Sequence, residues 1–121
     1  MIKKRRTKQY DLEDRSLAFA KNVRILVKKL PKTIANIEDG KQLIKASGSV
    51  GANYIEANEA LSKKDFILRI KICRKEAKES GYWLRLIDVA YDHDIENQQR
   101  NLEQEAIELT NISGTILRNV K

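Results

Sequence analysis

Two pairs of glutamates, each spaced one helical turn apart, are the first candidates for chemistry in this sequence. Glu56 and Glu59 stand in the segment EANE, and Glu76 and Glu79 stand in EAKE. Bundles that hold two iron or manganese ions combine inward carboxylates with a Glu-x-x-His motif on two helices. This sequence has no such motif, and its one histidine is His93. We therefore expect no metal and interpret the glutamates as partners of basic or polar groups, with a carboxylate metal enzyme as the less favoured alternative.

Nucleophilic or phosphate-loop catalysis is not indicated either. Cys73 falls on a predicted core position, where a thiol acts as a small apolar group. The segment SGSVG follows no strand and lacks the lysine of a P-loop. Asp92 and Asp94, on either side of the single histidine, fit turn and cap chemistry. The sequence thus predicts a protein with no catalytic residues, no enzymatic activity and no cofactor.

Basic residues form a tail and two helical rows, and both kinds of segment can contact phosphate groups. They are equally compatible with solvated surfaces, so both interpretations stay open. No aromatic-rich platform for single strands accompanies them, so base-specific recognition is not predicted. The tail consists of Lys3, Lys4, Arg5, Arg6 and Lys8. The rows consist of Lys21, Arg24, Lys28 and Lys32 on the first predicted helix, and Lys64, Lys71, Lys75, Lys78 and Arg85 on the third.

Charge is unevenly distributed along the chain. The 121 residues carry a formal net charge of +7, yet residues 88–108 contain Arg100 against seven acidic residues. The protein is therefore expected to have a basic tail on a body with opposed charged regions. A polyanion such as RNA or DNA is one partner that this charge predicts, and simple solubility is the other explanation.

The elements that position these residues are four amphipathic helices. Apolar or small residues recur at alternating steps of four and three, which places them on one helical face. The first two rows are Leu12, Ser16, Phe19, Val23, Leu26 and Leu30, then Leu43, Ser47, Val50, Tyr54, Ala57 and Leu61. The last two are Phe66, Ile70, Cys73, Ala77, Ser80, Leu84, Ile87 and Tyr91, then Ile95, Gln99, Leu102, Ala106, Leu109, Ser113, Ile116 and Val120.

Local signals predict where these helices begin and end. Pro31 ends the first helix. Ser62 is the expected N-cap of the third, and Asp94 of the fourth. The joint between the first two helices contains Ile34 and Ile37, which we expect to tuck against the end of the bundle.

The stretch from Ala46 to Ala57 is either a flexible linker or a close-packed helix. Gly48 and Gly51 would each cost a helix about 1 kcal/mol relative to alanine. The apolar spacing nevertheless continues through the stretch, which a linker has no reason to maintain. We predict a helix whose small side chains let a neighbouring helix approach closely, with the linker as the alternative.

Four such helices with short joints predict an all-α, up-down-up-down antiparallel four-helix bundle. We expect residues 1–9 to be a flexible basic arm and residues 10–121 to be a single bundle domain. No apolar run approaches the roughly 20 residues of a membrane span, so no membrane partner is predicted. The chain also begins without the apolar core of a signal peptide, which favours a cytoplasmic protein.

Two motifs together carry a resemblance to a known family. The segments QLIKASGSVGANYIEA and KEAKESGYWL, with SKKDF between them, resemble the bacterial four-helix bundle proteins encoded by intervening sequences of 23S rRNA genes. The resemblance covers about residues 10–90 and implies a left-handed bundle that assembles as a ring, usually a homopentamer. It implies no enzymatic activity. The residues that fall in the signature segments are Asn53, Glu56, Glu76, Glu79 and Trp83.

Two hypotheses about function follow. In the first, an oligomeric bundle binds RNA or DNA backbone through its basic surfaces. In the second, the ring is a scaffold for a protein partner, with no direct nucleic-acid contact. The accessory protein of diversity-generating retroelements is similar in fold. That similarity implies a basic oligomer that contacts a reverse transcriptase and nucleic acid, which is one example of an accessory subunit of a nucleic-acid enzyme. Tyr82 and Trp83 would then either cover the edge of the bundle or anchor a subunit interface.

Overall fold

Four helices account for almost all of the part of the chain that the computed structural model describes, which is residues 8–120, with side chains from Leu12 onward. They are α1 (Lys8–Lys29), α2 (Ile34–Asn58), α3 (Lys63–Leu86) and α4 (His93–Asn119). Each helix contacts the two neighbours that a bundle requires, and α1 and α3 lie diagonally without contact within this part. The predicted all-α class is confirmed.

Contacts between neighbouring helices pair the end of one with the beginning of the next. A Cβ atom added at Gly51, late in α2, would face Ser16, early in α1. One added at Gly40, early in α2, would face Val27, late in α1. Arg69 near the start of α3 donates to Asn53 near the end of α2. These contacts follow the pattern of antiparallel neighbours, as the short joints predict. The left-handed sense implied by the resemblance stays a prediction.

Helix boundaries follow side-chain capping. The side chains of Thr33, Ser62 and Asp92 accept hydrogen bonds from the backbone N–H groups three residues later, at 3.0–3.1 Å. The predicted cap at Ser62 is confirmed. The expected cap at Asp94 is wrong, because Asp92 provides the cap and Asp94 lies in the first turn, where the helix dipole favours a carboxylate.

The core is the shared face that the spacing predicts. Within it, four serines are almost wholly buried, one from each helix. Each hydroxyl donates to a carbonyl three or four residues earlier in its own helix, so no polar partner is needed from a neighbour. The helices can therefore approach closely along this face. The four serines are Ser16, Ser47, Ser80 and Ser113.

The stretch from Ala46 to Ala57 is helical throughout, so the linker alternative is wrong. A side chain added at Gly51 would begin 2.9 Å from the Ser16 hydroxyl, which is closer than real Cβ atoms come. One added at Gly48 would meet only the end of Arg24, at 3.5 Å. The two glycines thus differ: Gly51 is required by the close approach of α1, and Gly48 is not.

Four predicted core positions are wrong. Leu61 and Tyr91 are both 98% exposed, because α2 ends at Asn58 and α3 ends at Leu86. Tyr91 lies in the next joint with φ of 63°, a left-handed conformation outside any helix. Ile34 and Ile37 do not tuck under the bundle either, since α2 begins at Ile34 and turns both side chains toward solvent.

Asn36 takes the structural role expected of those isoleucines. This buried amide donates from Nδ2 to the carbonyl oxygens of Pro31 and Asp88, at 3.1 and 2.9 Å. Its Oδ1 accepts from the Asp88 N–H at 2.9 Å. One side chain thereby joins the α1–α2 joint to the α3–α4 joint, 52 residues away. These hydrogen bonds act together with the apolar contacts of Leu30, Ile87 and Val89 at this end of the bundle.

Arg15 joins α1 to α4, the least extensive of the four helix contacts. Its guanidinium donates to both oxygens of Glu105, at 2.7 and 3.0 Å, and to Glu108 at 2.7 Å. The bidentate geometry fixes the register of the two helices. Hydrogen bonding to Arg15 lowers the pKa of the Glu108 carboxyl.

Helix α1 begins at Lys8, two residues before the expected start of the bundle. The rest of the expected arm, with Lys3, Lys4, Arg5 and Arg6, lies outside the described residues, as does the side chain of Lys8. None of the four helices combines the length and the apolar character needed to cross a bilayer.

Replacing Gly51 by leucine should lower the free energy of unfolding by about 1–3 kcal/mol, because the side chain forces α1 away. Gly48→Ala is the matched control and should be neutral or stabilising by up to about 1 kcal/mol, since it only improves helix propensity. Chemical denaturation monitored by circular dichroism measures both. Equal stabilities for the two variants would contradict the close contact of Gly51 with α1.

Arg15→Gln should lower the melting temperature at pH 7 more than Arg100→Gln, whose ion pair with Glu96 lies within one helix. Because the folded pKa of Glu108 is depressed, its stabilising contribution is present above the ordinary carboxyl value of 4.5 and is lost as pH falls through the folded value. The difference between wild type and Arg15→Gln should therefore shrink on acidification. A difference that stays constant from pH 7 to pH 3 would show that the ion pairs contribute nothing.

Candidate nucleic-acid interface

Helix α3 carries the densest row of cations in the described part of the chain. The row lies beside the buried face formed by Ile70, Cys73 and Ala77, because a step of one residue turns a side chain by about 100°. All of its members are exposed. This row, the α3 cationic face, consists of Lys64, Lys71, Arg74, Lys75, Lys78 and Arg85.

Most of these cations have no acidic counterpart. Lys75 is the exception, with Nζ 3.6 Å from Glu76 and 3.9 Å from Glu79. Among residues 12–120, no carboxylate lies within ion-pair distance of Lys71, Arg74 or Lys78. The α3 cationic face therefore presents a net positive charge, which attracts anions.

Arg74 extends this charge across to α4. Its Nε and the Nη1 of Arg118 lie 3.8 and 3.7 Å from the point where a side chain at Gly114 would begin. Gly114 is buried beneath them, and Arg118 also donates to the Thr115 hydroxyl at 3.0 Å. Two guanidinium groups from different helices thus converge above one glycine. We call them the arginine pair.

A groove of about 300 Å³ lies between α3 and α4, and Lys78, four residues after Arg74, lines it. Its floor is made of small residues, since a side chain at Gly81 would begin 3.6 Å from the Ala106 Cβ. Tyr82 stands beside it, 55% exposed, with its ring edge-to-face against Trp83 at 5.1 Å between centroids. We call this cavity the α3–α4 groove. Its lining consists of Ala77, Lys78, Gly81, Tyr82, Arg85, Glu103, Ala106, Ile107, Thr110 and Asn111.

The basic row of α1 does not join this surface. Lys21, Arg24 and Lys28 are exposed, and Arg24 donates to the Ala20 carbonyl at 3.0 Å. Because α1 and α3 are diagonal in the bundle, their outer faces point to different sides. The two predicted rows are therefore two separate surfaces.

The signature residues divide into packing residues and surface residues. Asn53 donates to the Ser49 carbonyl at 2.9 Å and accepts from Arg69 at 3.1 Å, so it links α2 to α3. Trp83 packs against the core. Glu56 is exposed, whereas Glu76 and Glu79 lie beside Lys75. None of them forms part of the arginine pair or lines the α3–α4 groove.

The groups suited to catalysis are not brought together. Cys73 is fully buried, with Sγ 3.6 Å from the Ser113 Oγ, and burial raises the pKa of its thiol. His93 is exposed on the far side of a joint, 3.7 Å from Glu96. Within residues 12–120, no three histidine, cysteine, aspartate or glutamate side chains are grouped so that they could hold a metal ion.

Comparisons with known proteins agree with the motifs in the sequence. The family model of the 23S rRNA-intervening sequence protein matches residues 8–114. The chain belongs to this family. A solved structure from Bacteroides thetaiotaomicron VPI-5482, of a protein of unknown function in the S23 ribosomal protein family, is similar with a TM-score of 0.79 and 29% identity. The similarity covers 93% of this chain and all of that one. No curated protein matches the sequence.

Sequence reasoning missed the arginine pair and the position of Tyr82 in the groove. Arg74 follows Lys71 by three residues and precedes Lys78 by four, so helical spacing alone could have placed it in the α3 row. Arg118 is 44 positions away from Arg74 in the sequence, and only the packing of α3 on α4 brings them together. This member of the 23S rRNA-intervening sequence protein family thus presents a cationic surface shared by two helices.

Proposed function

We propose that this protein is a non-catalytic, oligomeric bundle of one domain that binds the backbone of RNA or DNA in the bacterial cytoplasm. The observation that supports this most directly is the α3 cationic face, whose Lys71, Arg74 and Lys78 have no carboxylate nearby in the described residues. Cations held in a row on a rigid helix neutralise successive phosphates and release their counterions. Such binding is independent of base sequence.

The remaining basic residues extend the contact surface. The α1 row faces another side of the bundle, so one molecule has two surfaces for polyanions. The N-terminal residues Lys3, Lys4, Arg5 and Arg6 add positive charge before α1 in the sequence, and Lys8 adds it at the first position of α1. In an oligomer these surfaces are repeated, and several weak contacts to one strand combine into tight binding.

We propose a homopentameric ring as the assembly, on the strength of the family resemblance. Exposed apolar side chains on α1 support association between copies. Leu17 and Ile25 are 56% and 48% exposed and lie eight residues, or slightly more than two helical turns, apart. Exposed apolar side chains that form a patch mark a surface for contacts with another protein. The same residues favour the alternative function, a ring-forming scaffold for a protein partner, with the charges serving solubility.

Binding to a labelled generic RNA should be detectable by fluorescence anisotropy at low salt and should weaken steeply as salt rises. Lys71→Gln with Lys78→Gln should reduce the slope of log K against log salt by about 1–2, because two phosphate contacts are lost. Lys41→Gln with Lys45→Gln removes the same charge from α2 and should leave the slope near wild type. If the wild-type protein does not bind the RNA at low salt, the proposal is wrong and the alternative function, a scaffold for a protein partner, is favoured.

The mass in solution, measured by light scattering, should be five times the chain mass of 14.0 kDa. Leu17→Glu with Ile25→Glu should reduce it, because charges would be buried at the interface. Ile34→Glu is the control, since Ile34 is 84% exposed at the start of α2. A monomeric wild type would contradict the ring, and an unchanged mass in the α1 variant would place the interface elsewhere.

A further inference from the structure

The arginine pair has the arrangement of an anion site. Arg74 and Arg118 approach one point from two helices, and no carboxylate in the described residues pairs with either. Like charges this close repel, and an anion between them turns repulsion into attraction. Glu79 lines a surface depression together with Arg74, but its carboxylate lies 3.9 Å from the Lys75 Nζ. The fork of a guanidinium matches the oxygens of a carboxylate or a phosphate, so a phosphate group of a nucleic-acid backbone fits this site.

The α3–α4 groove offers a different chemistry next to this site. More than half of Tyr82 is exposed, and its contact with Trp83 orients the ring. Ala77, Gly81 and Ala106 keep the floor of the groove low and apolar. An exposed aromatic ring over an apolar floor accepts a flat ring by stacking, and every nucleobase provides such a ring. Lys78 and Arg85 border the groove and can reach the phosphates on either side of the base.

The two sites are in register along α3. Arg74, Lys78 and Tyr82 are spaced four residues apart, so they form one line on the helix surface. Arg74 and Tyr82 are separated by about 12 Å at 1.5 Å per residue. Over this length, successive phosphates of one strand can contact Arg74 and Lys78, and the base of the following nucleotide can contact Tyr82. A duplex cannot use the same track, because its bases are paired and stacked and expose no face.

We infer that the α3–α4 groove binds a single nucleic-acid strand, with the arginine pair holding a phosphate and Tyr82 stacking on a base. The inference rests on the proposed function and goes beyond it, because backbone binding alone requires neither an unpaired strand nor an aromatic residue. It identifies the ligand class as single-stranded RNA or DNA, of any sequence.

The test uses three labelled probes of equal length: a uridine oligomer, an abasic phosphodiester oligomer and a duplex. The wild type should bind the uridine oligomer more tightly than either other probe. Tyr82→Leu should weaken binding of the uridine oligomer about 5- to 100-fold and leave the abasic oligomer unchanged, because only stacking is lost. Tyr82→Phe should retain binding. Tyr91→Leu, at a tyrosine that is 98% exposed outside the groove, is the matched control.

Arg74→Gln with Arg118→Gln should weaken the uridine and the abasic oligomers alike, and more than Lys41→Gln with Lys45→Gln does. If Tyr82→Leu binds every probe as the wild type does, or changes the mass in solution, the groove is not a strand site and the inference is overturned. If the double arginine variant binds the probes as tightly as the double lysine control does, the arginine pair does not hold a phosphate. If the wild type binds none of the probes, the proposed function itself fails.

Discussion

Close approach of the helices along a face of small side chains is the constraint on which the rest of this structure depends. Four buried serines satisfy their hydroxyls within their own helices, so neighbouring backbones meet without polar compensation. At Gly51 a methyl group would begin 2.9 Å from the Ser16 hydroxyl, so either the hydroxyl or α1 would have to shift. Interiors packed at this density resist small shifts, so each helix is held in one rotation about its axis.

That rotation decides where the cations lie. On α3 the buried positions set the helix face, and Arg74, Lys78 and Tyr82 necessarily fall at its border with α4. The same close packing, now between Gly81 and Ala106, opens the α3–α4 groove above a low floor. A surface built on a rigid bundle costs little ordering when a ligand binds. Packing residues and the residues of the proposed strand site are thus neighbours on one helix.

Departures from the sequence-based predictions cluster at the joints. Within helices, the predicted positions from Leu12 to Ser113 are buried except Phe66 and Gln99, which are half-buried, because one period describes a whole helix. At the ends it fails: Leu61 and Tyr91 continue the pattern after the helix has stopped, and both are exposed. Asn36 was not anticipated at all, because two of its three side-chain hydrogen bonds depend on the backbone of Asp88, 52 residues away.

The sequence by itself determined the helices, their buried faces, the membership in the 23S rRNA-intervening sequence protein family and the presence of two basic rows. These are properties of single segments, and helical periodicity expresses them locally. The tertiary structure alone decided that the rows of α1 and α3 lie on different sides, and that Arg74 meets Arg118 above Gly114. Which face of one helix meets which neighbour depends on side-chain packing between segments, and no local period encodes it.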